Sequence, residues 1–344
     1  MKNLFNLKTT VLFAVLILFN FSCSDNEVVV PKSEEQPTVI VSSDNTISGK
    51  VISNADFSIL EEALIKTNLL TTLQSNASQY TVFAPKNAAF TTYLATTNYA
   101  TINEVPTLIL KEILLNHVLT GSKKAIDLSN NSYVKTLAKG TANSSNNLDM
   151  YVSKITISSN LILKLNGIST VTSTDIQATN GIIHFVDTVI VLPKISNHIG
   201  ANQNLTFFSG LINSSNQIDF LEILNNLEVK TVFVPTNDAF DAFNIELATL
   251  PLYPFGLTSV TPTKIAKVLK YHVVSSNLLA ASLTDNLVLY TLLFGPQQSF
   301  QILNPITGKF IKDISNRESK IILKDVQCSN GVLHIIDKVL LPNL

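Results

Sequence analysis

Residues 81–90 read TVFAPKNAAF and residues 231–240 read TVFVPTNDAF, seven identities in ten at an offset of 150. Thr81–Ala84 is a short β-prone run closed by Pro85, which has no N–H to give to a central ladder. Asn87 then stands where an N-cap belongs, ahead of Ala88-Ala89-Phe90, and Asn237 stands likewise ahead of Asp238-Ala239-Phe240. Asp238 adds a carboxylate in the first helical turn, favourable by about 0.3–1 kcal/mol. Strand, proline, cap and helix within so few residues predict a tight corner, made twice.

Two further blocks repeat in the same order. LLNHV (114–118) returns as LKYHV (269–273), and NGIIHFVDTVIVLP (180–193) returns as NGVLHIIDKVLLP (330–342). A period near 150 is too long for a solenoid and predicts tandem domains, residues 47–193 and 195–344. Thr261-Pro262 opens a helix with proline at its first position. Ile265, Val268, Leu269 and His272 fall on one stripe of it, as Leu110, Ile113, Leu114 and His117 do in the first domain, so each histidine faces the core. Asn180-Gly181 and Asn330-Gly331 are turn signals that open apolar strands. Asn166-Gly167 is a further hairpin candidate, with Thr307-Gly308 as its expected counterpart.

These blocks resemble the fasciclin-like domain family: Thr-Val-Phe-x-Pro-x-Asn-x-Ala-Phe, a helix ending in Tyr-His, then Asn-Gly-x-x-His-x-x-Asp. The resemblance covers everything after residue 46. It implies an α+β fold, two tandem domains each with a wedge of mostly antiparallel strands and small helices packed beside it. It also implies adhesion or extracellular binding rather than catalysis. In some animal members the helix ending in Tyr-His is implicated in receptor contact. Tyr271-His272 match that pair and Asn116-His117 depart from it; core packing is the first reading of these positions, and the four residues are the candidate contact set as the alternative. The family motif leaves Asn87, Asn237, His184, His334, Asp187 and Asp337 as structural residues.

The N-terminus reads as a secretion signal, residues 1–22. Lys2 and Lys8 precede Val11–Phe19, an apolar run of nine residues, too short for the roughly twenty a bilayer-spanning helix needs. It ends at Ser22-Cys23, which resembles a bacterial lipoprotein processing site, with Asn20 departing from the usual aliphatic residue. Cys23 is the expected lipid attachment point; the alternative is an ordinary signal peptide that leaves Cys23 as a free thiol. Ser24-Asp25-Asn26-Glu27 is similar to the export signal of some surface lipoproteins. Residues 23–46 are polar and punctuated by Pro31 and Pro37, and they read as a flexible tether. The expected location is the outer membrane of a bacterial envelope, surface-exposed, with the membrane as a partner through Cys23.

Composition narrows the function class. The chain has 344 residues, 24 basic against 25 acidic side chains, and 46% apolar residues. A neutral, apolar-rich chain is not a disordered tail and has no field for gathering nucleic acid. The two cysteines, Cys23 and Cys328, lie at opposite ends of the chain and cannot build a disulfide framework or a Cys-rich zinc site. Cys328 reads as a buried free thiol. His184 and Asp187 sit three apart on a strand and point to opposite faces, so they form no local dyad. Two repeat histidines per domain fall short of a zinc ligand set. No nucleophile elbow, phosphate loop or His-Glu-x-x-His is present. The residues predict no enzyme, no cofactor and no metal. The expected function is an envelope-anchored adhesion or binding module for a cell-surface protein or glycan; the alternative is a glycan- or nutrient-capture lipoprotein working with an outer-membrane transporter.

Overall fold

The structure, a computed structural model, describes residues 45–157, 160–293, 295 and 298–343. The expected signal peptide, Cys23 and the expected tether up to residue 44 lie outside the described residues. Within them the chain makes the same arrangement twice, and both copies lie in one compact unit.

The first repeat begins with helices α1 (Ile47–Ile52), α2 (Ser58–Lys66) and α3 (Leu70–Gln74), then strand β1 (Tyr80–Pro85) and helix α4 (Asn87–Ala95). Helix α5 (Thr107–Leu115) leads into β2 (Val118–Thr120), β3 (Ser132–Lys139), β4 (Asn147–Ile157), β5 (Asn160–Leu165), β6 (Ser169–Ala178) and β7 (Gly181–Val186). The second repeat runs α6 (Ile195–Ala201), α7 (Thr206–Ile212), α8 (Ile218–Asn225), β8 (Lys230–Pro235), α9 (Asn237–Ala248), α10 (Pro262–Tyr271) and β9 (Val273–Val274). Its remaining strands are β10 (Val288–Tyr290), β11 (Ser299–Leu303), β12 (Phe310–Lys312), β13 (Glu318–Cys328) and β14 (Gly331–Ile336).

Each repeat builds a sheet of seven strands, in the orders β2-β1-β7-β6-β5-β4-β3 and β10-β11-β12-β13-β14-β8-β9. All pairings are antiparallel except β1 with β7 and β8 with β14, the two strands of the repeated motifs. Those central strands are almost wholly buried, which explains why they read as continuous apolar runs rather than alternating ones. The Asn-Gly turns do more than reverse the chain. Asn180 Oδ1 accepts the N–H of Ile47 at the start of α1, and its amide donates to Leu73 and Ser75 carbonyls. Asn330 does the same for Ile195 and for Leu224 and Asn226. Glycine must follow: Gly181 and Gly331 have φ of 151° and 155°, and an added Cβ would lie 1.9 and 2.1 Å from the Tyr80 and Lys230 carbonyl oxygens.

Two local expectations need correction. Asn87 and Asn237 are not the N-caps of the helices they open. Lys86 and Thr236 occupy those positions, and only Thr236 bonds back, to Ala239 N–H at 3.1 Å. Each asparagine is already helical and reaches sideways to the helix before the strand. Asn87 Oδ1 accepts the N–H of Ile59 at 3.0 Å and Asn237 Oδ1 that of Phe207 at 2.9 Å, satisfying orphan donors in the first turns of α2 and α7. Thr307-Gly308 joins β11 to β12, so it is not the counterpart of Asn166-Gly167, which joins β5 to β6. The matching corner, between β12 and β13, is built by Asp313, whose Oδ1 accepts the N–H groups of Ser315 and Arg317. An Asx turn does there what Asn-Gly does in the first repeat.

The repeats meet across β4 and β13. Asp149 Oδ2 accepts the Gln327 N–H at 2.6 Å, Lys135 Nζ donates to the Asp325 carbonyl, and Ser329 O accepts Ala142 N–H. Tyr133 of the first repeat packs into the apolar core of the second. Gly140 has room for no side chain there, because a Cβ would lie 2.8 Å from Ser329 Cα.

Candidate functional site

The four repeat histidines are all buried, and every ring nitrogen is bonded to main chain. His117 Nδ1–H donates to Ile113 O at 2.8 Å, and its Nε2 accepts the N–H of Ile190 at 2.9 Å. His272 repeats this with Val268 O at 2.7 Å and Leu340 N–H at 3.0 Å. These rings tie the end of a helix to the segment that leaves the sheet after β7 or β14. A neutral ring with one donor and one acceptor satisfies both contacts. Burial accordingly holds the pKa of each down to about 4, against the pull of the Ile113 and Val268 carbonyls.

His184 and His334 hold the opposite tautomer. Their Nε2–H groups donate to Lys123 O and Leu278 O, at 3.0 and 2.8 Å. Their Nδ1 atoms accept the N–H of Asp175 and Asp325, each at 3.2 Å. Those aspartates sit in β-bulges of β6 and β13, at φ of 64° and 63°, where the ladder leaves an amide without a strand partner. The histidine supplies that partner. Each ring also stacks on the phenylalanine of the TVF motif on the neighbouring strand, Phe83 at 5.4 Å and Phe233 at 5.3 Å between centroids. Burial lowers the pKa of both.

Asp187 and Asp337 follow β7 and β14 and tie them to the neighbouring strands β6 and β13, accepting the N–H groups of Thr170 and Lys320 at 2.8 and 2.7 Å. Neither aspartate is bonded to a histidine. The expected contact residues are core residues as well. Tyr271 is fully buried, its hydroxyl donating to Ser299 O and accepting Ile314 N–H, and burial raises its pKa to about 12. Asn116 is buried and donates to the Ile190 and Val191 carbonyls. None of the four side chains is available for receptor contact in this structure, because each faces the core from its helix end. The exposed positions on α5 are instead Thr107, Leu108 and Ile109, the last two 80% and 49% exposed.

The sequence reading passed over the fifth histidine and its surroundings. His198 on α6 is buried beside Tyr133, at 5.4 Å edge-on, and its nearest polar group is the Asp149 main chain, whose geometry to the ring falls short of a regular hydrogen bond. Burial drives its pKa down to about 3. Asp149 lies at the same joint between the repeats, where burial raises its carboxyl to about 6 although Lys135 and Gln327 pull it down. Cys328 is a buried free thiol, and burial pushes its pKa well up, away from thiolate chemistry. No motif spacing marks this cluster, since it forms only when the two repeats dock. Among the described residues no group of three His, Cys, Asp or Glu is placed to hold a metal ion, and no helix is long and apolar enough to cross a membrane.

The fasciclin domain model matches residues 55–193 and 203–342. Protein sll1483 of Synechocystis sp. is 34% identical over 135 residues, 39% of this chain and 67% of that protein. Human periostin is 26% identical over 274 residues, 77% of this chain but only 28% of periostin's own length. Among solved structures, a FAS1 domain pair from the insect cell adhesion molecule fasciclin I aligns with a TM-score of 0.48 at 18% identity, over 86% of this chain and 95% of that one.

Proposed function

Since the chain belongs to the fasciclin domain family, we propose that it is a cell-envelope lipoprotein, held by a lipid at Cys23 and acting as a non-catalytic adhesion module on the bacterial surface. The observation that carries this reading is the use of the repeat histidines. All four are neutral, buried and committed at both nitrogens to main-chain groups. A general base needs a free lone pair within reach of substrate, and these rings keep none. What remains for function is surface. Leu108 and Ile109 form an exposed apolar pair on α5, and two linked repeats gain avidity from weak contacts.

The anchor is tested by fractionation. Cys23→Ala moves the protein from the membrane fraction to the soluble one; unchanged retention in membranes contradicts the lipoprotein reading. Binding of the purified chain to surface proteins and to glycan arrays tests the module. Selective capture of glycans with no adhesion to cells favours nutrient capture instead.

A further inference from the structure

The second repeat holds a partly open apolar cavity of about 340 Å³. It lies between α7, α9 and α10, walled by phenylalanines 207, 208, 240 and 243 and by leucine, isoleucine and valine side chains. The corresponding concavity of the first repeat lies beside Ile59, whose N–H donates to Asn87 as that of Phe207 does to Asn237. That concavity is open and carries Glu62, Thr91 and Thr101. The difference has a sequence origin. Phe90 and His117 are 27 positions apart, whereas Phe240 and His272 are 32 apart. Three of the five extra residues lengthen α9, which has 12 residues against 9 in α4, and two fall in the linker after it, which supplies Leu250, Tyr253, Leu257 and Thr258 to the wall. The same segment leaves Leu252 and Phe255 71% and 79% exposed beside the opening.

The lining chemistry selects the occupant. Three polar side chains face the cavity, and all are engaged. The Thr258 hydroxyl donates to Phe255 O, His272 uses both nitrogens, and the Tyr253 hydroxyl accepts from Lys264 Nζ at 2.7 Å. A buried water needs two to four polar partners; His272 offers it none, and the two hydroxyls keep only the Tyr253 O–H and the Thr258 lone pairs, so the walls are overwhelmingly apolar. The size suits a small ligand, because binding pockets start at roughly 300 Å³. A methylene fills about the space of a liquid water molecule, roughly 30 Å³, so a chain of about ten carbons fits. The head group is chosen by Lys264, whose ammonium lies 5.3 Å from the centroid of the Tyr253 ring and is only half-buried. A cation beside an apolar cavity matches a carboxylate on a hydrocarbon chain.

We propose that the second repeat binds a medium-chain fatty acid, its alkyl chain in the cavity between α7, α9 and α10 and its carboxylate at Lys264. This site is separate from the adhesive surface proposed above. The test is calorimetric titration of the full chain, carrying Cys23→Ser so that no acyl group of its own competes, with decanoate and with decyltrimethylammonium, both below micelle-forming concentration. The expected result is one decanoate per chain, bound at least tenfold more tightly than the cationic amphiphile. Ile265→Trp, which fills the cavity, abolishes binding, and Lys264→Met removes most of the preference for the anion while leaving the fold intact. Leu250→Glu, at the exposed rim, serves as a second variant: it sets a like charge against the carboxylate and weakens decanoate binding at least fivefold. Absence of saturable decanoate binding overturns the proposal, as does binding that Ile265→Trp and Leu250→Glu leave unchanged. Equal affinity for the two amphiphiles overturns the assignment of Lys264.

Discussion

Asp149 of the first repeat accepts the main-chain N–H of Gln327 of the second at 2.6 Å, and the same carboxylate oxygen holds Lys135 Nζ at 2.6 Å. A buried carboxylate thus fastens strand β4 to strand β13, with the Lys135 head group half in solvent. Asp149→Ala leaves the Gln327 amide without its acceptor, which costs about 1–3 kcal/mol. Calorimetry is expected to show the repeats melting in one transition in the unsubstituted chain and in two in the variant. A single transition at an unchanged temperature contradicts a mechanical role for this contact.

Acid weakens the fold through its histidines. His117 and His272 are held down to about 4 and His198 to about 3, below the ordinary 6.5. With the folded value depressed, the unfolded chain binds the extra protons, so the stability these groups contribute is full above pH 6.5 and is lost as pH falls through about 4. A single histidine moved from 6.5 to about 4 represents roughly 3 kcal/mol. Asp149 runs the other way: raised from 3.8 to about 6, it contributes stability below 3.8 that is lost as pH rises through 6. With all five histidines lowered and one carboxylate opposing them, urea midpoints are expected to drop steeply between pH 6.5 and 4. A flat profile over that window contradicts the neutral, buried assignment.

His198 isolates one part of that effect. With only a weak contact to the Asp149 main chain to lose, it is expected to tolerate His198→Phe at pH 7 with a change below about 1.5 kcal/mol. At pH 5 the variant should gain relative to the unsubstituted chain, because its unfolded state no longer takes up that proton. Equal pH slopes for the two proteins count against this.

His334 is different in kind. His334→Ala removes the stack on Phe233 and strands both the Asp325 N–H and the Leu278 carbonyl. The expected loss is about 2–4 kcal/mol, with added zinc making no specific difference. Unchanged stability, or a zinc-dependent rise in melting temperature only in the unsubstituted chain, contradicts a structural role.

What could be read from the sequence was what local spacing encodes. The strand, the proline and the helix of TVFVPTNDAF lie within one contiguous block, and the stripe Ile265, Val268, Leu269 fixes which way His272 faces. Partners distant along the chain leave no local trace. Asn237 looked like a cap for the helix it opens, and only the fold brings Phe207 N–H within its reach. The bulges at Asp175 and Asp325 escaped notice because an aspartate, not a glycine, takes the positive φ. The joint at Asp149 depends on docking, and the cavity of the second repeat on a longer α9 and a longer linker after it.

The central claim is that the surface of this chain adheres while its histidines only hold the fold. It is tested most directly by the adhesion of beads coated with equal amounts of folded protein to layers of bacterial cells. The account predicts that coated beads adhere well above bare ones, that Leu108→Glu with Ile109→Glu loses at least fivefold of that adhesion without lowering the melting temperature, and that His198→Phe leaves it unchanged. Coated beads that adhere no better than bare ones contradict it.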